Sequence, residues 1–219
     1  MYLQNKQNCR HNAGNGITFK TMKKILIITS SPRGAESTST QLSMSIAARL
    51  EDENPGSVVT VRDLSQNPLP HLDDTLLAAL FTPADIHSEA QRAAIAKSDA
   101  AIAELSEADF VVIGIPMYNF GIPSTVKAWI DHVFRAGVTF SYGSNGPIGL
   151  LGDKKIYLAI ASGGIYAEGA MSAYDFTDPY LRKALGFIGL TDITTFRAEG
   201  LKMPDGDKVL QNVIDTMVV

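Results

Sequence analysis

Lys24-Ile25-Leu26-Ile27-Ile28-Thr29 is a short β-branched apolar run, followed by the polar loop Ser30 to Ser39 and then by Leu42, Ile46 and Leu50 at helical spacing. Such a run, apolar on both alternating faces, fits a strand buried within a parallel sheet. The i, i+4, i+8 stripe marks one face of an amphipathic helix, which Asn54-Pro55-Gly56 should end. The same strand-then-helix unit recurs. Val58 to Val61, Phe110 to Ile115, Lys155 to Ala161 and Ile193 to Phe196 read as strands. Helical stretches are expected over Asp74 to Phe81, Ser88 to Leu105, Ser124 to Arg135, Tyr180 to Ile188 and Asp207 to Met217. In the second of these, Ala94, Ile95, Ile102 and Leu105 should face inward. Strands alternating with helices predict an α/β three-layer sandwich, a five-stranded parallel sheet in the order 2-1-3-4-5 with helices on both faces.

The 219 residues, 45% of them hydrophobic, suit one domain with a sizeable core. A net charge of −4 with scattered Lys and Arg gives no electrostatic footprint for nucleic acid or an anionic membrane surface. No apolar stretch is long enough for a membrane span. Cys9 is the sole cysteine, which excludes an internal disulfide framework and suits a reducing cytoplasm. His11, His71, His87 and His132 lack metal-ligand spacing, so no metal is expected. Residues 1–21 are rich in Asn, Gln and Gly, without periodicity, and are expected to form a flexible extension preceding a domain over 22–219 with Met22 as the functional start. The turn-rich stretch Gly137 to Asp153 is too long for a simple connection and is expected to reach a ligand or a second subunit.

In an open parallel sheet, ligands sit beyond the carboxyl ends of the strands where the strand order reverses. Three loops should meet there. Ser31, Ser37, Thr38 and Ser39 stand at a helix start, whose unpaired N–H groups and dipole favour a phosphate, with Arg33 as the nearby cation. The competing reading is that Ser37 or Ser39 caps the helix. Met117, Tyr118, Asn119 and Phe120, between Pro116 and Pro123, offer aromatic faces and an amide to a planar heteroaromatic ring. Ala161, Ser162, Gly163 and Gly164 bring bare backbone whose N–H groups can stabilise negative charge on such a ring. Tyr166, just beyond, is a candidate substrate contact. A phosphate end and a flat end in one crevice suggest flavin mononucleotide, with Asn119 at the N5 and O4 edge. No G-x-G-x-x-G follows the first strand and no P-loop motif appears, which disfavours a dinucleotide or nucleotide triphosphate site.

Ser37-Thr38-Ser39-Thr40-Gln41-Leu42-Ser43, Pro116-Met117-Tyr118-Asn119-Phe120, Arg135-Ala136-Gly137-Val138-Thr139-Phe140 and Gly163-Gly164-Ile165 together resemble the FMN-dependent NADH azoreductases. These are bacterial flavoenzymes, also described as FMN-dependent NADH:quinone oxidoreductases, of the flavodoxin-like superfamily. The resemblance runs from Met22 to the carboxyl terminus, including Gly186 to Asp192 and Ala198-Glu199-Gly200. It implies a flavodoxin-like fold, a cytoplasmic homodimer with one FMN per subunit, NADH as electron donor, and ping-pong two-electron reduction of quinones and aromatic azo compounds. Two departures stand out: Ala161-Ser162 where many relatives carry Ser-Arg, and Tyr166 where some carry histidine. The alternatives are an electron carrier without intrinsic NADH oxidation and a general NAD(P)H:FMN reductase.

Overall fold

The strands of the central sheet are apolar runs whose side chains alternate between two cores. The computed structural model describes residues 22–219; the expected extension over 1–21 lies outside the described residues. The chain runs β1 (Lys24–Thr29), α1 (Thr38–Glu53), β2 (Val58–Asp63), α2 (Asp74–Phe81), α3 (Glu89–Glu107) and β3 (Phe110–Pro116). It continues through α4 (Ser124–Val133), β4 (Phe140–Gly143), β5 (Gly146–Gly149), β6 (Lys155–Ala161), α5 (Asp178–Phe187), β7 (Asp192–Ala198) and α6 (Val209–Thr216). One five-stranded sheet is ordered β2-β1-β3-β6-β7, with every neighbouring pair parallel. Its order is the expected one once the interposed β4-β5 hairpin is discounted.

Period-two alternation sorts the side chains. Ile25, Ile27, Val112, Tyr157 and Ala159 pack with Leu42, Ile46 and Leu50 of α1, and α6 adds Leu210, Val213 and Ile214 at the margin. On the other face, Leu26, Ile28, Val111, Ile113, Leu158 and Ile160 pack with Ile102 and Leu105 of α3, Trp129 of α4, and Leu181 and Leu185 of α5. Each fully buried aliphatic side chain contributes roughly 1.5–3 kcal/mol relative to exposure, so this double core dominates the stability. As expected, Ile95, Ile102 and Leu105 of α3 are buried, while Ala94 is only partly buried beside Leu76 and Ala79 of α2.

Local chemistry sets the helix boundaries. Ser88 caps α3 reciprocally with Gln91: the Gln91 N–H donates to Ser88 Oγ at 3.2 Å, and the Ser88 N–H donates to Gln91 Oε1 at 2.9 Å. Helix α4 stops at Val133, two residues before the expected Arg135, because Thr139 intervenes. Its hydroxyl donates to Val133 O at 2.7 Å and accepts the Arg135 N–H at 2.9 Å. Helix α6 is held by Arg49, which donates to Ile214 O at 2.5 Å and Met217 O at 2.9 Å.

The stretch over 137–153 forms the antiparallel hairpin β4-β5, with Phe140 opposite Gly149. Four-residue strands rich in Gly and Pro have little intrinsic strand preference, so tertiary contacts sustain this one. Phe140 packs edge-on against Phe187 at 4.9 Å between ring centres, and the Leu151 N–H donates to Ile188 O at 3.0 Å. Gly149 meets Gly189 backbone to backbone: a Cβ on Gly149 would fall 2.1 Å from Gly189 N.

Candidate functional site

Strands β1, β3 and β6 are neighbours in the sheet, so the loops leaving their carboxyl ends open onto one crevice. A cleft of about 580 Å³ lies there, within the range of small-molecule and cofactor sites. It is bordered by Ser37 and Thr38 from the first loop, Met117 and Tyr118 from the second, and Ala161, Ser162 and Gly163 from the third. Ser31, Ser39, Asn119, Phe120 and Gly164 stand outside that lining. A second concavity, about 480 Å³, faces the opposite end of the sheet among Lys23, Asp109, Lys154 and Lys155. Of its charges, Lys23 pairs with Asp109 at 2.8 Å, and Lys154 Nζ donates to Ser106 O and Ala108 O.

The first loop is braced against β3, where Ser30 Oγ donates to Gly114 O at 2.9 Å. Gly114 lacks a Cβ for a reason: one placed there would lie 3.0 Å from both Ser39 O and Ser43 Oγ of α1. The helix start therefore rests on the strand. Ser37 occupies the N-cap position, yet its side chain makes no capping bond; its hydroxyl lies 3.1 Å from that of Ser39. Capping by Ser37 or Ser39, the competing expectation, is not realised. The first helical bond runs from the Gln41 N–H to Ser37 O, which leaves the Thr38, Ser39 and Thr40 N–H groups without intrahelical acceptors. No acidic residue occupies the first turn. Ser39 is fully buried, and Ser31 is buried with its hydroxyl 3.4 Å from that of Tyr118.

In the second loop, Tyr118 and Gly121 exchange N–H bonds of 3.0 and 3.1 Å, closing a two-residue turn. Its central residues, Asn119 and Phe120, have φ of 49° and 71°. Both lie in the left-handed region that a type I′ turn demands. Asparagine tolerates this conformation; phenylalanine is strained there by about 1–3 kcal/mol. Surrounding contacts hold it. The Phe176 N–H donates to Phe120 O at 3.1 Å, and the ring packs on Tyr174 at 5.3 Å and edge-on to Tyr166 at 6.1 Å.

The third loop is tied down on one side only. Ser162 donates its N–H to Ala198 O at 3.0 Å and its hydroxyl to Gly164 O at 2.8 Å. Among the described residues the Gly163 and Gly164 N–H groups have no acceptor. Tyr166 lies over Gly164, with ring carbon Cε2 3.2 Å from where a Cβ would project. Farther out, a buried ionic strut fixes this loop. Arg197 donates to Asp175 at 2.6 Å and to Glu199 at 3.0 Å, and the Glu199 carboxylate accepts the N–H groups of Tyr166 and Ala167. Burial alone would disfavour the charged guanidinium, but Asp175, Glu199 and Asp178 outweigh it and hold its pKa above the usual arginine range.

Pattern reading missed the far wall, formed by Gln41, Leu201, Lys202, Gly206, Asp207 and Leu210. Residues 200–202 arrive there through a backbone ladder to the glycine loop, which has no side-chain signature. The signal available was Ala198-Glu199-Gly200, whose glycine turns the chain at φ 76°.

A parallel sheet with a phosphate-ready helix start at the reversal of strand order, facing an aromatic loop and a glycine loop, defines a mononucleotide-binding α/β fold. The profile of the flavodoxin-like fold matches residues 23–218. The FMN-dependent NADH:quinone oxidoreductase of Azotobacter vinelandii is 50% identical over 182 residues, 83% of this chain and 90% of that protein. The crystal structure of an azoreductase from Bacillus anthracis strain Sterne superposes with a TM-score of 0.82 at 32% identity, covering 89% of this chain and 96% of that one. An FMN-dependent NADH-azoreductase from Bacillus anthracis strain Ames Ancestor, solved in complex with FMN, gives 0.81 at 26% identity, covering 89% and 95%. The chain belongs to the FMN-dependent NADH:quinone oxidoreductase and azoreductase family of the flavodoxin-like fold.

Proposed function

We propose that the chain is an FMN-dependent NADH:quinone oxidoreductase that also reductively cleaves aromatic azo compounds. The observation that carries this reading is the cleft itself. Unsatisfied N–H groups at the start of α1 lie at one end and unsatisfied glycine N–H groups at the other, with Met117 and Tyr118 between them. An anionic tail and an electron-accepting ring fit that donor set.

In this reading the Thr38, Ser39 and Thr40 N–H groups, with the Ser37 and Thr38 hydroxyls, hold the phosphate, and Arg33 adds positive charge. Ser31 supports the site through Tyr118. Met117, Tyr118, Asn119 and Phe120 frame the ring, Asn119 presenting its amide to the N5 and O4 edge. Ala161, Ser162, Gly163 and Gly164 border the pyrimidine end. Bound FMN supplies hydride acceptance from NADH at N5 and two-electron delivery to the acceptor. Phe120, Tyr166 and Tyr174 give the nicotinamide and then the flat acceptor the same apolar surface, which suits ping-pong turnover. Among the described residues no histidine borders the cleft.

A homodimer is part of the proposal, supported by an apolar groove along α4 and α5 lined by Leu72, Leu80, Phe134, Tyr180 and Phe187, with Phe81 82% exposed nearby. A cytoplasmic setting fits the single cysteine. Among the described residues no helix is long and apolar enough to cross a membrane. The test is spectroscopic: the purified protein should be yellow, bleach with NADH and regain colour with a soluble quinone. A protein that stays colourless with added FMN, or a yellow one that NADH does not bleach, refutes the assignment.

A further inference from the structure

After β7 the chain turns at Gly200 and runs back along the glycine loop. The Gly200 N–H donates to Gly164 O at 3.0 Å, the Leu201 N–H to Ser162 O at 3.2 Å, and the Lys202 N–H to Gly163 O at 3.0 Å. This ladder fixes the backbone of Lys202 against Gly163. The side-chain stem follows: a Cβ on Gly163 would lie 3.1 Å from Lys202 Cγ. Lys202 thus borders the cleft, and among the described residues it forms no ion pair. The nearby Asp205 is already taken by Lys208 at 2.7 Å.

The cleft lining carries Arg33, Lys202 and one carboxylate, Asp207. The two cations stand at different ends. Arg33 belongs to the loop after β1, where its guanidinium donates to Glu36 O at 3.1 Å. Lys202 belongs with the loop after β6, two strand positions away and hence about 10 Å across the sheet. With the anionic tail at the start of α1, a cation beside Gly163 serves the ring, not the phosphate. Ser162 cannot supply charge there, and its hydroxyl is committed to Gly164 O at 2.8 Å.

We infer that the Lys202 ammonium is the electrostatic partner of the ring end of the cofactor, stabilising the reduced ring over the oxidised one. The inference rests on the proposed function. Hydride transfer from NADH delivers one proton and two electrons; NAD⁺ leaves, and one negative charge remains on the ring. An ammonium within about 6 Å of that charge, at a surface between water-like and protein-like dielectric, would shift such an equilibrium about tenfold. The uncharged Ser162-Gly163-Gly164 loop leaves that task to the residue lying across it.

The test compares the FMN-loaded parent, Lys202→Met and Lys202→Arg by spectroelectrochemistry, with dissociation constants for oxidised FMN from fluorescence quenching. Lys202 is exposed, so both variants should fold. Lys202→Met should lose about tenfold in preference for reduced over oxidised flavin, a midpoint about 30 mV more negative for a two-electron couple. Its affinity for oxidised FMN should change less than threefold, and Lys202→Arg should keep the parental midpoint. An unmoved midpoint in Lys202→Met overturns the inference. So does an equal weakening of both oxidation states, which would place the ammonium on the phosphate. A parent protein that takes up no FMN overturns the proposed function itself, whereas uptake with equal midpoints removes only Lys202.

Discussion

Replacing Gly114 with alanine tests whether the fit of α1 onto β3 sets the cofactor site. The added methyl would sit 3.0 Å from Ser39 O and from Ser43 Oγ, against about 3.4 Å for ordinary contact, so α1 must withdraw by a few tenths of an ångström. Overpacking of this kind costs about 1–3 kcal/mol, offset by ~0.5–1 kcal/mol because alanine loses less backbone entropy than glycine. Taking the middle of each range, the net loss of about 1.25 kcal/mol should lower the melting temperature of the apo protein by roughly 2.5–5 °C at about 2–4 °C per kcal/mol. The same withdrawal lengthens the bonds from the Thr38, Ser39 and Thr40 N–H groups. Losing half of one charge-assisted bond worth ~1.5–3 kcal/mol weakens FMN affinity about fivefold. Calorimetry and FMN fluorescence titration read the two effects. Adding Ser43→Ala removes one of the two close contacts and should restore part of each, since Ser39 O remains. Unchanged stability and affinity in Gly114→Ala, or strict additivity with Ser43→Ala, would refute the argument.

Thr38→Asp should separate fold from function. An acidic residue in the first turn of α1 favours the helix by ~0.3–1 kcal/mol, raising apo stability, while it repels the phosphate and weakens FMN retention on gel filtration. Asn119→Gly keeps the left-handed turn and deletes the amide, whereas Asn119→Ala also strains the backbone at φ 49°. If the amide serves turnover, steady-state kinetics should show similar loss in both variants, with the larger stability loss in Asn119→Ala. His132 gives a pH signature: burial first, together with Lys97, depresses its pKa despite the opposing bond to Pro70 O and the nearby Asp131 and Asp73. The unfolded chain then takes up the proton more readily, so this stability is present above about pH 6.5 and lost as pH falls through the depressed folded value. Thermal melts from pH 7.5 to 5 should show a shallower acid decline in His132→Gln.

The sheet was legible because each core strand is an apolar run that serves both faces, as Ile25 and Leu26 do in packing on opposite cores. The hairpin was not, because Gly146-Pro147-Ile148-Gly149 forms a strand only where Phe187 and Gly189 receive it. Of the site, the loops after β1, β3 and β6 were readable from their place behind apolar runs. The burial of Ser39 was also there to be read: with Ser43, Ile46 and Leu50 it falls on the inward stripe of α1. The left-handed Asn119-Phe120 turn was half visible, since asparagine suggests it and phenylalanine argues against it. Lys202 was invisible because backbone pairing alone brings it to the cleft.

The touching backbones of Gly149 and Gly189 leave no clearance for even a methyl group, which makes the hairpin stem and the corner between α5 and β7 one mechanical piece. Tyr142, 73% exposed, therefore projects on a tooth already set at a fixed bearing. Freezing a backbone residue costs about 1–2 kcal/mol, and here that loss falls on folding and not on encounter. Any surface that meshes with the hairpin needs to immobilise little more than side chains.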